Sequence, residues 1–188
     1  MKIAQIVGSN SHIDYVARIG RGREDVSAAE YGFGHFVRMD TDTDSFVGVI
    51  YDSRLINPEF SSFAPRLQPQ PSIDEPSKPQ KPGVLVGIIL LGTMDERGAD
   101  HSVPQRIVPV NNDVIAMSDD DIRRFHLAPD GTVRLEYYSR LIGHSGQFAV
   151  PLLESIMDKI ERGCSDEDKQ RLGVIRGMLK WQSTFTAR

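Results

Sequence analysis

The residues best placed to do chemistry are Gly143, His144, Ser145, Gly146 and Gln147. A serine held between glycines at the start of a helix would suit a nucleophile elbow, the G-x-S-x-G turn that presents a hydroxyl to a histidine base. Here Gln147 stands where the second glycine is required. In that chain order the histidine also follows the serine, whereas His12, His35, His101, His126 and His144 all precede Ser145. The string therefore reads as a turn opening a helical hairpin, and no catalytic residue is assigned. A hydrolase using Ser145 remains a third reading, to be tested against Ser145→Ala.

Other constellations carry weaker signals. Asp40, Asp42 and Asp44 have the alternate spacing that opens a calcium loop, but Ser45 replaces the required glycine and Tyr51 the bidentate glutamate, which leaves a solvated hairpin turn. Asp119, Asp120 and Asp121 follow Ser118, where carboxylates complement a helix dipole better than they ligate a metal. No HxH or HxxxH pair brings the histidines together, so hydrogen-bonded or surface roles are expected, with no metal and no cofactor. Gly32, Phe33, Gly34, His35, Phe36 and Val37 have a trace of the aromatic strand of RNA-recognition domains, with His35 disturbing the alternation. Arg18, Arg21 and Arg23, spaced by glycine, form the one candidate nucleic-acid contact, diluted by Glu24 and Asp25. There is no G-x-x-x-x-G-K-[ST] string, hence no P-loop.

Composition narrows the class. With 188 residues, 39% hydrophobic, 26% charged and a net charge of −4, the chain fits one globular domain with a real core and argues against broad affinity for nucleic acid. Cys164 is the single cysteine, which rules out a disulfide framework and a cysteine zinc site and fits a reducing compartment. The N-terminal apolar run is broken at Gln5 and is too short for a signal peptide. The longest apolar run, Val84 to Leu91, is far short of the roughly 20 residues that span a bilayer. A cytoplasmic location without membrane contact is expected.

The elements that position these residues are mostly strands. Lys2 to Val7 and Ser11 to Ile19 read as a hairpin across Gly8, Ser9 and Asn10. A second hairpin climbs through HFVRM, turns at Asp40 to Asp44 and descends through SFVGVIY. The segment at about 57–83 holds seven of the eleven prolines and is predicted to be a long loop. VLVGIILLG, Val84 to Gly92, is continuously apolar, as in a strand buried on both faces. TMDERGADHS reads as a loop. Beyond it, Pro104 and Pro109 restrict VPQRIVPVNNDVIAM to an extended course with short edge pairing. Ser118 is expected to cap a short helix over DDDIRRFHL, and TVRLEYYS to form another strand. From Pro151, Leu152, Leu153, Ile156, Met157 and Ile160 recur at helical spacing, and a second helix follows Ser165 with Leu172, Ile175, Met178 and Leu179 on its apolar side. The fold class expected is mainly β (α+β): a small antiparallel β-barrel over 1–142, followed by a C-terminal helical hairpin over 143–188.

With these pieces in order, IVGSNSHIDYVARI, YGFGHFVRM with FVGVIY, and VPQRIVPVNNDVIAMSDDDIRRFH resemble the N-terminal barrel of HerA-type DNA-translocating ATPases, a relative of the barrel of ATP-synthase catalytic subunits. The resemblance covers roughly residues 1–140 and rests on glycine and β-branched patterns. A RecA-like motor follows the barrel in those ATPases, whereas here LIGHSGQF leads into helices. What the resemblance implies is a non-catalytic assembly or docking module, because the family's barrels sit in a ring and help contact a nuclease. The expected partner is a protein, such as a RecA-like ATPase or nuclease, or further copies of the chain; direct nucleic-acid binding is the alternative.

Overall fold

The computed structural model describes residues 1–19, 30–56, 83–128, 130–161, 166–170, 172–174 and 176–177. Seven strands, β1 (Lys2–Ser9), β2 (Asp14–Ile19), β3 (Phe36–Asp40), β4 (Ser45–Ile56), β5 (Gly83–Asp95), β6 (Gly98–Asp100) and β7 (Asp113–Ala116), pair in the order β2-β1-β7-β3-β4-β5-β6. A further pairing of β2 with β5, from Asp14↔Ile89 to Ile19↔Val84, closes the first six of that order into an antiparallel barrel. Strand β6 extends β5 beyond the closure.

Both hairpins form where the alternation of apolar and polar residues places them. In the second, Phe36 to Asp40 pairs with Val49 to Ser45, and the polar tip closes through hydrogen bonds between Thr41 and Asp44. Strand β4 bends at two register shifts, between Val47 and Gly48 and between Ile50 and Asp52, as bulges do on a strand that must curve around a barrel.

The double burial of β5 is explained by two cores on opposite faces of the wall. Ile3, Ile6, Tyr15, Met39, Phe46, Ile50, Val86, Ile88 and Leu90 fill the barrel, and Val108 packs with them, its N–H donating to the Tyr15 hydroxyl at 3.1 Å. On the other face Phe36, Val47, Val49, Ile89 and Leu91 lie under the helices α1 (Asp119–His126), α2 (Tyr138–Ser145) and α3 (Ala149–Glu161). These contribute Ile122, Phe125, Leu141, Leu152, Leu153, Ile156, Met157 and Ile160. A fully buried aliphatic side chain contributes about 1.5–3 kcal/mol, and an exposed ion pair such as Arg54–Asp52 (3.1 Å) about 0–1 kcal/mol. The outer apolar cluster, not surface charge, holds helices to barrel.

Several elements differ from the sequence reading. TMDERGADHS is a hairpin rather than a loop: β5 runs to Asp95 and turns through Glu96 and Arg97 into β6. The short strand after Pro109 is no edge, because β7 sits between β1 and β3 and completes the wall. TVRLEYYS keeps only one bridge, Leu127↔Val133, before α2 starts at Tyr138, since Tyr137 and Leu141 are drawn into the helical core. Asp14, a charged residue within β2, is buried, with Asn10 Nδ2 (3.1 Å) and the Tyr51 hydroxyl (3.0 Å) donating to its carboxylate. α1 starts as expected, Ser118 Oγ accepting from the Asp121 N–H at 3.2 Å. Residues 166–170, 172–174 and 176–177 are helical; Leu172 joins the outer core and the Arg176 guanidinium lies 3.0 Å from Glu161. Ser165, Ile175, Met178, Leu179 and the proline-rich segment at 57–82 lie outside the described residues.

Candidate functional site

Ser145 closes α2 with its hydroxyl buried and without a hydrogen-bond partner, while the neighbouring His144 is exposed. A serine attacks only when a base accepts its proton, and no imidazole reaches this one in the structure. In the turn of the second hairpin Asp40 accepts from Ser45 Oγ (2.6 Å) and Arg38, and Asp44 from Thr43 (2.6 Å) and Arg106 (2.8 Å). The Thr43 and Arg106 contacts hold the Asp44 carboxyl below its ordinary pKa range. These carboxylates answer to their own turn, and among the described residues no three His, Cys, Asp or Glu side chains converge so as to hold a metal ion.

Arg18 sits half-buried on β2, between Gln5 of β1 and Leu85 of β5. Arg21 and Arg23 lie outside the described residues. The aromatic string divides between environments: Phe33 is exposed and meets Phe148 edge to face at 6.2 Å, Phe36 is buried under the helices and Val37 inside the barrel.

Sequence reasoning missed a buried polar cluster. His126 and Tyr137 are fully buried and His101 nearly so. The Tyr137 hydroxyl donates to His126 Nε2 at 2.6 Å, and His126 Nδ1–H donates to the Ile122 carbonyl at 2.7 Å. His101 Nε2–H donates to the Phe125 carbonyl at 2.9 Å, its ring 4.4 Å from that of Phe125 and 5.1 Å from Tyr137. A carbonyl only accepts, so each of these ring nitrogens carries a proton, and burial favours the neutral imidazole at both positions. Burial pushes His126 down to about 3, lowers His101 and raises Tyr137. The Arg140 guanidinium completes the latch by donating to the carbonyls of Leu91 (3.0 Å) and His101. This arrangement joins α1 and α2 to the end of β5 and the chain after β6. The only sequence signal for it was His126 between an aromatic and an aliphatic residue, FHL; His101, between Asp100 and Ser102, gave none.

Among the described residues, two concavities bear on function. A groove of about 980 Å³ lies between the β3–β4 and β5–β6 turns, with Asp40, Asp44, Asp95, Glu96 and Asp100 outnumbering Arg97 and Arg134 on its walls. Its electrostatic sign opposes a phosphate backbone. A second, of about 400 Å³, runs between the β1–β2 hairpin and the chain before β7, lined by Ile6, His12, Tyr15, Ile107, Val108 and Val110. Ile107 and Val110 stand 65% and 60% exposed there, both lining the same groove. His12 Nε2 donates to the Pro104 carbonyl at 2.6 Å, holding the two walls together.

A closed six-stranded barrel with one strand added and helices packed on its outer wall is the class of protein these elements define. Over residues 1–187 the sequence matches the model of the domain of unknown function DUF8166, and the chain belongs to that family. No curated protein matches it. Among the described residues no helix is long and apolar enough to cross a membrane.

Proposed function

We propose that this chain is a non-catalytic docking barrel that binds a protein partner through the groove beside Ile107 and Val110. The observation that carries the reading is the exposure of those two aliphatic side chains over a wall anchored from beneath by Val108 in the barrel core. A surface of that kind gains free energy by losing water to a complementary apolar face, and its rigidity keeps the ordering cost of binding low. The resemblance to the barrels of HerA-type translocating ATPases supports a partner of that kind, a RecA-like ATPase or a nuclease. The neutral, buried state of His101, His126 and Tyr137 supports a structural rather than an acid–base role for the polar cluster.

The test is affinity capture from the native cell with the wild-type chain and with the Ile107→Asp/Val110→Asp variant. The wild type is expected to recover a stoichiometric protein partner and the variant at least about tenfold less, because two carboxylates would have to be desolvated at the contact. Equal recovery by both chains, or none by either, would count against this docking surface.

A further inference from the structure

We propose that the outer half of β4 pairs antiparallel with the same strand of a second copy, across a two-fold axis at Ser53. This goes beyond the docking reading: the occupant is the chain itself, at a surface separate from the Ile107 groove.

The argument begins with where the ladder stops. β3 pairs with β4 as far as Val49, and Ile50 uses its remaining backbone groups on Gly34 and His35. Beyond the register shift at Tyr51, Asp52 to Ile56 pair with Gly87 to Gly83 of β5, and among the described residues no strand pairs with their other edge. The Ser53 N–H points away from β5: it donates to the Asp52 carboxylate at 2.9 Å. Leu55 is 86% exposed on the same stretch. An edge whose outward N–H is held only by its neighbour's side chain, beside an uncovered leucine, is a template for another strand.

The sequence of that edge selects the strand. Written against itself antiparallel about Ser53, Tyr51-Asp52-Ser53-Arg54-Leu55 places Asp52 opposite Arg54 of the second copy, and Tyr51 opposite its Leu55. The Asp52–Arg54 pair is favourable and occurs twice by symmetry, while the Tyr51 side chain stays turned to Asp14 of its own chain. Within one chain Asp52 and Arg54 already meet at 3.1 Å, so the two charges lie on the edge ready to exchange partners. Shifting the axis by one residue to Arg54 would set like charges opposite one another. A strand without complementary charges would gain no ion pair across the joint, so the edge favours its own copy over general pairing. The pairing is confined to 51–55, because Ile50 is engaged by the β3 side, and the dimer is therefore weak and concentration-dependent.

Sedimentation across a wide concentration range tests this with three full-length chains. The wild type is expected to associate. Arg54→Asp, which sets carboxylates opposite one another at both symmetric positions, weakens association about tenfold or more. Asp52→Arg/Arg54→Asp restores it. A wild type that stays monomeric throughout, an unaffected single variant, or a double variant no better than the single one overturns the proposal. Ser53→Cys in a Cys164→Ser background supplies a readout independent of charge. An antiparallel hydrogen-bonded pair sets its Cα atoms about 5.5 Å apart, within disulfide range. An intermolecular disulfide should form faster than with Ser9→Cys in the same background, and equal rates would also overturn the pairing. Capture of a different protein through Ile107 and Val110 is decided separately, so either claim can fail alone.

Discussion

His126 shows how much one buried side chain can demand of its surroundings. In the unfolded chain its imidazole takes up a proton near pH 6.5, in the folded chain only near 3. Between those values only the unfolded state binds that proton, so folding stability is complete above about pH 6.5 and falls as the pH drops through the window. For His126 alone the slope is about 1.4 kcal/mol per pH unit, and His101, lowered by burial in the same direction, steepens it. Denaturant titrations at pH 7 and pH 5 are expected to differ by about 2 kcal/mol or more; equal midpoints would contradict neutral, buried imidazoles. Tyr137→Phe removes the donor at 2.6 Å and leaves His126 Nε2 unpaired in the core, which is expected to lower stability by about 1–3 kcal/mol at pH 7 in the same measurement.

At the scale of elements, β5 organises the molecule. It pairs with β4 on one side, with β2 and then β6 on the other, and carries both cores on its two faces. Gly92, near its end, lets the chain leaving β6 pass close: a Cβ there would stand 2.0 Å from the Asp100 carbonyl oxygen. Gly92→Ala is accordingly expected to destabilise by about 3 kcal/mol, the upper end for overpacking, because the obstacle is backbone and cannot rotate away. A thermal melt within a degree or two of wild type would refute that close approach. Much of this architecture was legible in the sequence. The unbroken apolar run of β5 announced two buried faces, Ser118 announced the start of α1, and the spacing of Leu152, Leu153, Ile156, Met157 and Ile160 announced α3. What stayed hidden depended on distant partners. β7 is four residues long, and only its pairing with β1 and β3, both remote in sequence, makes it a wall strand rather than an edge. Tyr137 looked like a strand residue until the imidazole of His126 supplied a reason to bury it at the start of α2. The groove at Ile107 and Val110 was equally illegible, since isolated aliphatics in a proline-punctuated segment do not reveal which of them the barrel will cover.

At the scale of the whole molecule, the proposed docking role rests on a closed barrel and the surfaces it presents. Its lumen is filled by side chains, its helices are bound to the outer wall, and its Ser145 hydroxyl is buried without a base. The two surfaces proposed for docking differ in kind: an apolar groove and a charged, self-complementary strand edge. Hydrogen exchange on the captured complex tests the central claim most directly. Docking at the groove predicts slowed exchange at backbone amides of residues 6–12 and 105–111, with the helices α1 and α3 unchanged relative to the free chain. Protection confined to the helical face, with the groove amides exchanging as they do in the free chain, would contradict it.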